Sequence, residues 1–353
     1  MAKLRIGLVG CGRIAQLVHL PLLLRLPDVE LTALAESDPA RREEAARRAP
    51  RAAVHSSHEQ LLADPSVEAV LICLPNALHA AAAIDALGTG KHVYLEKPLA
   101  TDVSDARAVR DVWRRSGLVG MVGFNYRFNP LHQSVRWHIE RQTIGEIAGV
   151  RSIFSSVARV LPEWKQHRGT GGGVLLDFAS HHVDLVRYFF RQEVQQVYAE
   201  LRSLRGADDS ATLELRLADG TLVQSFFTTS ALDEDRFEIY GTNGKLAFDR
   251  HLSRSIEITD AARTMIEVKR LRQACDSLLR NPPLFGRFMG GGHEPSFARA
   301  VAHFAAAVRG EVAASPDFED GYRSLAVIVA AEESARTGRA VRVSNADHEN
   351  PAR

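Results

Sequence analysis

The chain has 353 residues, more than one hydrophobic core normally serves, so two domains are expected. With 45% hydrophobic and 25% charged residues, its composition is that of a globular protein and excludes a disordered chain. Lys and Arg number 44 against 43 Asp and Glu, and a net charge of +1 offers no field for nucleic acid or an anionic membrane. Three cysteines, Cys11, Cys73 and Cys275, are too few and too scattered for a disulfide framework, and no Cys-x-x-Cys pair suggests zinc. A reducing cytoplasm is expected. The N-terminus runs from a short basic start into a strand without the apolar region of a signal peptide. The most apolar stretch, Leu17 to Leu26, is too short to span a membrane and is broken by His19, Pro21 and Arg25.

In chain order, the first third alternates strand-like and helix-like segments. Arg5 to Val9, Leu31 to Ala35, Ala69 to Leu74, His92 to Leu95 and Val119 to Phe124 are short apolar runs without alternation, as buried parallel strands are. Between them lie helices at Pro39 to Ala49, started by Asp38-Pro39, at His79 to Leu87, and at Val103 to Arg115, stopped by Gly117. The helix after the first strand contains Pro21, so a kink or break is expected there.

After about Asn129 the pattern changes to alternating strands joined by turns. Leu213, Leu215 and Leu217 alternate with polar residues, and Asp219-Gly220 turns the chain into Thr221 to Phe227. Phe237 to Tyr240 and Lys245 to Phe248 pair across Thr242-Asn243-Gly244. Helices at Asp177 to Phe190, Ser296 to Arg309 and Asp317 to Thr337 complete the domain, and Arg280 to Pro295 reads as a mobile loop. The fold class is therefore α/β: a dinucleotide-binding domain over residues 1–125, then an α+β domain over 126–353 with a large, mostly antiparallel open sheet. Its final segment can pack back on the first domain.

Gly10-Cys11-Gly12-Arg13-Ile14-Ala15 follows a strand and opens a helix, so Gly10 can make the tight turn and Gly12 can let a pyrophosphate approach the amides. Glu36, at the end of the second strand, can accept hydrogen bonds from ribose hydroxyls and repels a 2′-phosphate. Ser37 follows it, which favours NAD; Arg41 and Arg42 nearby leave NADP open.

Four further strings matter: Leu74-Pro75-Asn76-Ala77-Leu78-His79; Gly90 to Pro98 with its Glu96-Lys97-Pro98; Gly123-Phe124-Asn125-Tyr126-Arg127-Phe128; and Gly172-Gly173 through Asp177 and His181-His182 to Asp184. In this order the chain resembles the Gfo/Idh/MocA oxidoreductase family, which includes glucose-fructose oxidoreductase and inositol dehydrogenase, over almost its whole length. The resemblance implies a Rossmann domain followed by an α/β domain whose sheet builds homodimers or homotetramers. It also implies that Gly10, Gly12, Arg13, Ile14, Glu36, Ser37, Leu74, Pro75, Asn76, His79, Glu96, Lys97 and Asn125 line the cofactor, and that a cis bond precedes Pro98.

Oxidising an alcohol carbon requires loss of the hydroxyl proton, and an ammonium stabilises the developing alkoxide. By the resemblance Lys97 supplies it. Asp177 and His181, four apart on a helix, share a face; Asp184 returns to that face and His182 points away. The imidazole can take the proton while the carboxylate orients it or binds a neighbouring hydroxyl. The resemblance makes these a Lys-Asp-His triad with His181 as base. Arg127, Trp164 and Arg168 are further substrate-contact candidates beside Lys97, Asp177 and His181; no metal is expected, because adjacent helical histidines cannot converge on one ion. The expectation is an NAD-dependent dehydrogenase of a sugar, sugar acid or cyclitol. A keto-sugar reductase using NADPH, a glycoside hydrolase oxidising its substrate only transiently, and a silent dinucleotide sensor are the alternatives.

Overall fold

The computed structural model describes residues 3–158, 162–166, 168–260 and 295–344. Its first sheet holds β1 (Leu4–Val9), β2 (Val29–Ala35), β3 (Ala53–His55), β4 (Ala69–Ile72), β5 (His92–Leu95) and β6 (Gly120–Val122), all parallel in the order β3-β2-β1-β4-β5-β6. Helices α1 (Leu20–Leu23), α2 (Pro39–Arg48), α3 (His58–Leu62), α4 (His79–Gly88) and α5 (Val103–Ser116) accompany these strands. Chain order reverses between β1 and β4, so a crevice opens beyond their C-terminal ends, where a doubly wound sheet binds its ligand. Pro21 does not kink a long helix. A π-helical turn, Ala15–His19, comes first and Pro21 falls in the first turn of α1, where its missing N–H is harmless.

The second domain contains α6 (Pro130–Glu140), β7 (Ile147–Ser155), α7 (Glu163–Gln166), α8 (Ser180–Phe190), β8 (Val194–Arg202), β9 (Ser210–Leu217), β10 (Leu222–Thr228), β11 (Glu234–Gly241), β12 (Gly244–Asp249), β13 (Glu257–Asp260), α9 (Pro295–Val308), α10 (Phe318–Thr337) and β14 (Val341–Arg342). Its mixed sheet runs β13-β12-β11-β7-β10-β9-β8-β14; β7 and β10 are parallel and the other pairs antiparallel. Ala211, Leu213, Leu215 and Leu217 of β9 point to the face covered by α8 and α10, while Thr212, Glu214 and Arg216 point to the opposite, open face. The Gly- and Pro-rich stretch before Pro295, and Cys275, lie outside the described residues.

The last helices return to the first domain. Ala300, Val301 and Phe304 of α9 share a core with Ile6, Leu8 and Tyr94, and α10 packs on both α5 and β8. Phe318 lies against Trp113, and the Arg110 guanidinium covers the Tyr322 ring at 4.3 Å. These contacts fix the two domains relative to one another.

Phe237 on β11 anchors α8 to the sheet: it is fully buried, stacks on Phe248 with centroids 5.7 Å apart and meets Phe189 of α8 edge-on at 5.4 Å. Phe237→Ala is expected to cost about 3–5 kcal/mol, read as a lowered urea midpoint in equilibrium unfolding.

Candidate active site

At the end of β1 the chain turns through Gly10, whose φ is +85° and where a Cβ would lie 2.8 Å from the Cys73 carbonyl oxygen. Only glycine suits that position. Gly12 has nothing within 4 Å of where a Cβ would project, so the loop beneath Arg13 and Ile14, both exposed, is open to a ligand. Glu36 closes one end. Its Oε2 accepts from the Cys11 amide at 2.8 Å, and its Oε1 accepts from the Asp38 amide at 2.9 Å and from Arg41 at 3.1 Å. Burial alone would raise its pKa, but the Arg41 guanidinium and these amides hold it below the ordinary glutamate value, so the group is a carboxylate. Ser37 Oγ lies 3.5 Å from the same oxygen. An open glycine loop with a carboxylate across it fits a dinucleotide.

Across the crevice, at the end of β5, the Lys97–Pro98 peptide is cis and Lys97 reaches toward the second domain. Its Nζ donates to Asp177 Oδ1 at 2.8 Å and to the Asp177 carbonyl at 2.7 Å. A second ammonium, Lys165 on α7, lies 3.1 and 3.3 Å from the two Asp177 oxygens. Gly172 permits this approach, because a Cβ there would overlap the Lys165 carbonyl. Burial opposes ionisation of Asp177, yet the two lysines outweigh it and hold the carboxyl far below its usual range. Burial, reinforced by Lys165, lowers the pKa of Lys97 against the pull of Asp177.

His181 stands one helical step further on, 9% exposed, its ring stacked on Tyr126. Burial and then the Lys97 charge push its pKa well below the ordinary imidazole value, so it is neutral at neutral pH. No hydrogen bond joins it to Asp177 among the described residues. The expectation that Asp177 orients this ring is not met: Asp177, in the π-helical turn Leu175–Ala179, has both carboxylate oxygens engaged by Lys97 and Lys165.

Several residues expected to contact ligands also make joints within the chain. Arg127 donates to both Asp184 oxygens at 2.6 and 2.8 Å and to Asp320 at 3.0 Å, so its buried guanidinium is engaged between α8 and α10 rather than presented to a substrate. Arg168 pairs with Glu332 and donates to the Thr101 carbonyl at 2.7 Å. Asn125 donates to Ser296 at 2.8 Å, and Glu96 meets His19 Nε2 at 2.6 Å. His79 bridges the Pro98 and Leu74 carbonyls at 2.6 and 2.9 Å, tying the Lys97 turn to the Leu74-Pro75 segment. Asn76 donates across the crevice to the Gly171 carbonyl at 2.7 Å. Trp164 is partly exposed with the Lys165 ammonium 5.5 Å from its ring. Lys165 is a site residue that sequence reasoning missed, with only its neighbour Trp164 singled out; Tyr126 stood in the Gly123 to Phe128 string but was given no role there.

Residues 4–124 match the model of an oxidoreductase family with an NAD-binding Rossmann fold, and residues 136–343 match its C-terminal alpha/beta domain. The chain belongs to the Gfo/Idh/MocA oxidoreductase family. It is 29% identical to the inositol 2-dehydrogenase of Rhizobium meliloti over 350 residues, covering 96% of this chain and 99% of that one. The 1,5-anhydro-D-fructose reductase of Ensifer adhaerens is 30% identical, with 82% and 83% covered. The structure of levoglucosan dehydrogenase in complex with NADH and levoglucosan matches with a TM-score of 0.82 at 26% identity, covering 97% of this chain and 100% of that chain. This Gfo/Idh/MocA protein is thus an oxidoreductase whose Rossmann domain takes NAD.

Removing the Glu36 carboxylate takes away the Arg41 partner at 3.1 Å and the acceptor expected for the ribose hydroxyls. Glu36→Ala is expected to weaken NADH binding about 10-fold or more while improving NADPH binding, read by fluorescence titration with each dinucleotide.

Proposed function

We propose that the protein oxidises a secondary hydroxyl of a sugar, sugar acid or cyclitol with NAD. The observation that carries this reading is the pairing of a neutral, buried imidazole, His181, with the Lys97 ammonium held on Asp177. Bound NAD supplies the hydride acceptor. The residues of the chain handle the proton and the charge: His181 accepts the hydroxyl proton, Lys97 donates to the oxygen as it becomes an alkoxide, and the C–O bond gains its second bond as the C–H pair departs. Asp177, ionised by its two lysines, keeps Lys97 charged and in place. The lowered proton affinity of His181 leaves the ring a free base at neutral pH, the form the oxidative step starts from.

The similarity to 1,5-anhydro-D-fructose reductase supports a second reading, the same chemistry run backwards on a keto-sugar. A compartment that keeps thiols reduced suits the buried free cysteines Cys11 and Cys73, and among the described residues no helix is long and apolar enough to cross a membrane. The outer face of the eight-stranded sheet supports self-association: Tyr198 and Phe226 are exposed there among Arg151, Glu214, Arg236 and Glu238, a mixed surface that a second copy can complement.

Reduced-nicotinamide absorbance with NAD against inositols, levoglucosan, aldoses and sugar acids tests the reading; silence across the panel with glycoside cleavage would replace it by the hydrolase. Lys97→Met and His181→Gln are each expected to cut turnover ~10²-fold or more with NADH binding retained. The acid limb of kcat/KM should fall below pH 6.5, the ordinary imidazole value, because a lowered pKa keeps the base free to lower pH. Phe226→Glu is expected to shift the protein toward smaller assemblies in light scattering.

A further inference from the structure

An imidazole that accepts a proton is ordinarily oriented by a hydrogen bond to a carboxylate or carbonyl. In this site both Asp177 oxygens face ammonium groups, and His181 Nδ1 is enclosed without a hydrogen-bond partner among the described residues. What holds the ring is aromatic. Tyr126 stacks on it with centroids 4.3 Å apart and planes 18° from parallel, and Phe124 meets it edge-on at 6.3 Å. The guanidinium carbon of Arg250 lies 4.4 Å from the centroid of the same phenol ring. One face of a six-membered ring cannot seat two planar groups at such distances, so Arg250 and His181 clasp Tyr126 from opposite sides.

Both ends of this clasp are fixed. The Tyr126 carbonyl accepts from His132 Nδ1 at 2.8 Å and from the Asn129 amide at 3.0 Å, which holds the turn that carries the phenol. Arg250 Nε donates to Asp235 Oδ2 at 2.6 Å, Asp235 Oδ1 lies 3.1 Å from His182 Nε2, and His182 Nδ1 lies 3.0 Å from Ser152 Oγ. The two adjacent histidines of α8 therefore sit at the two ends of one chain of contacts, His181 to Tyr126 to Arg250 to Asp235 to His182.

We infer that Tyr126, backed by Arg250, is the positioning residue of His181: the stack, in place of a carboxylate hydrogen bond, sets the plane of the imidazole and the direction of its lone pair. This rests on His181 being the proton acceptor of the reaction proposed above. The clasp also discriminates between protonation states. An imidazolium on the phenol face would share that ring with the Arg250 cation and lie near Lys97, while the Asp177 and Asp235 carboxylates favour it; His132, also against Tyr126, has its pKa lowered by burial. Burial and Lys97 decide in favour of the neutral ring.

The test uses the full chain with carbon-13-labelled histidine, the His181 resonance being assigned by its loss in His181→Gln. Its Hε1 signal is expected to lie upfield of an unstacked imidazole because of the phenol ring current, and Tyr126→Phe, which keeps the ring, should leave both signal and titration in place. Tyr126→Leu should move the signal downfield, raise the titration midpoint by about one unit as water gains access, and lower kcat ~10-fold with myo-inositol and NAD at little change in KM. An unmoved signal and midpoint in Tyr126→Leu would overturn the inference. Should that variant fail to fold, Arg250→Lys, which keeps a charge for Asp235 but cannot lie flat on the phenol, must shift the same signal; an unchanged spectrum there overturns it equally. Absence of turnover on every polyol in the unaltered protein would sink the dehydrogenase reading alone, because the stack is judged by the resonance.

Discussion

One contact between domains organises the site: the Lys97 ammonium on the Asp177 carboxylate at 2.8 Å. Lys97 comes from the end of β5 in the parallel sheet, Asp177 from the π-helical turn that leads into α8. Their side chains are only 13% and 23% exposed, so the pair is largely desolvated and forms only when both domains are docked. Because Lys97 also donates to the Asp177 carbonyl, it fixes the backbone of that turn as well as its side chain. The crevice beyond β5 and the start of α8 are thereby held in one geometry.

A crevice between domains needs rigid joints, since catalytic groups lose much of their effect when displaced by a fraction of an ångström. Arg127 locks α8 to α10 through Asp184 and Asp320, Arg168 joins the glycine-rich turn to α10 through Glu332, and Asn76 reaches Gly171 from the Rossmann side. Two of the further substrate-contact candidates, Arg127 and Arg168, are thus engaged in holding the crevice. Asn125 and Glu96 belong with them, turned to Ser296 and His19.

The pattern of legibility follows from the range of the interactions. Buried parallel strands leave continuous apolar runs, and a turn such as Gly10 leaves a glycine, so the first sheet and its loop could be read locally. Edge strand β3 could not: Ala53, Val54 and His55 are half exposed and too few to make a pattern. The π-helical turn at Asp177 has no local signature either, and nothing beside Asp177 in the sequence shows that Lys97 and Lys165 engage its oxygens. Lys165 reaches Asp177 only because Gly172 lets the chain fold back, and Arg250, which follows β12, reaches Tyr126 from a hairpin more than a hundred residues on. Such contacts are set by tertiary packing between segments that carry no mark of one another in the sequence.

A buried ion pair is seldom retained for stability, because apolar side chains of similar volume often hold a core as well or better. The two partners here pull in opposite senses. Asp177, its pKa lowered, contributes stability above its unfolded value of 3.8 that is lost as pH falls through its still lower folded value. Lys97, its pKa also lowered, is a cation that burial disfavours, so its charged form costs stability throughout the range below its ordinary value. Adding Lys165 deepens both effects: it steadies the carboxylate and further burdens Lys97. Two ammonium groups on one carboxylate leave the cluster one positive charge in excess beside a neutral imidazole. That imbalance is what an oxygen turning into an alkoxide would neutralise, and it gives a chemical reason for keeping a costly cation at the junction of two cores.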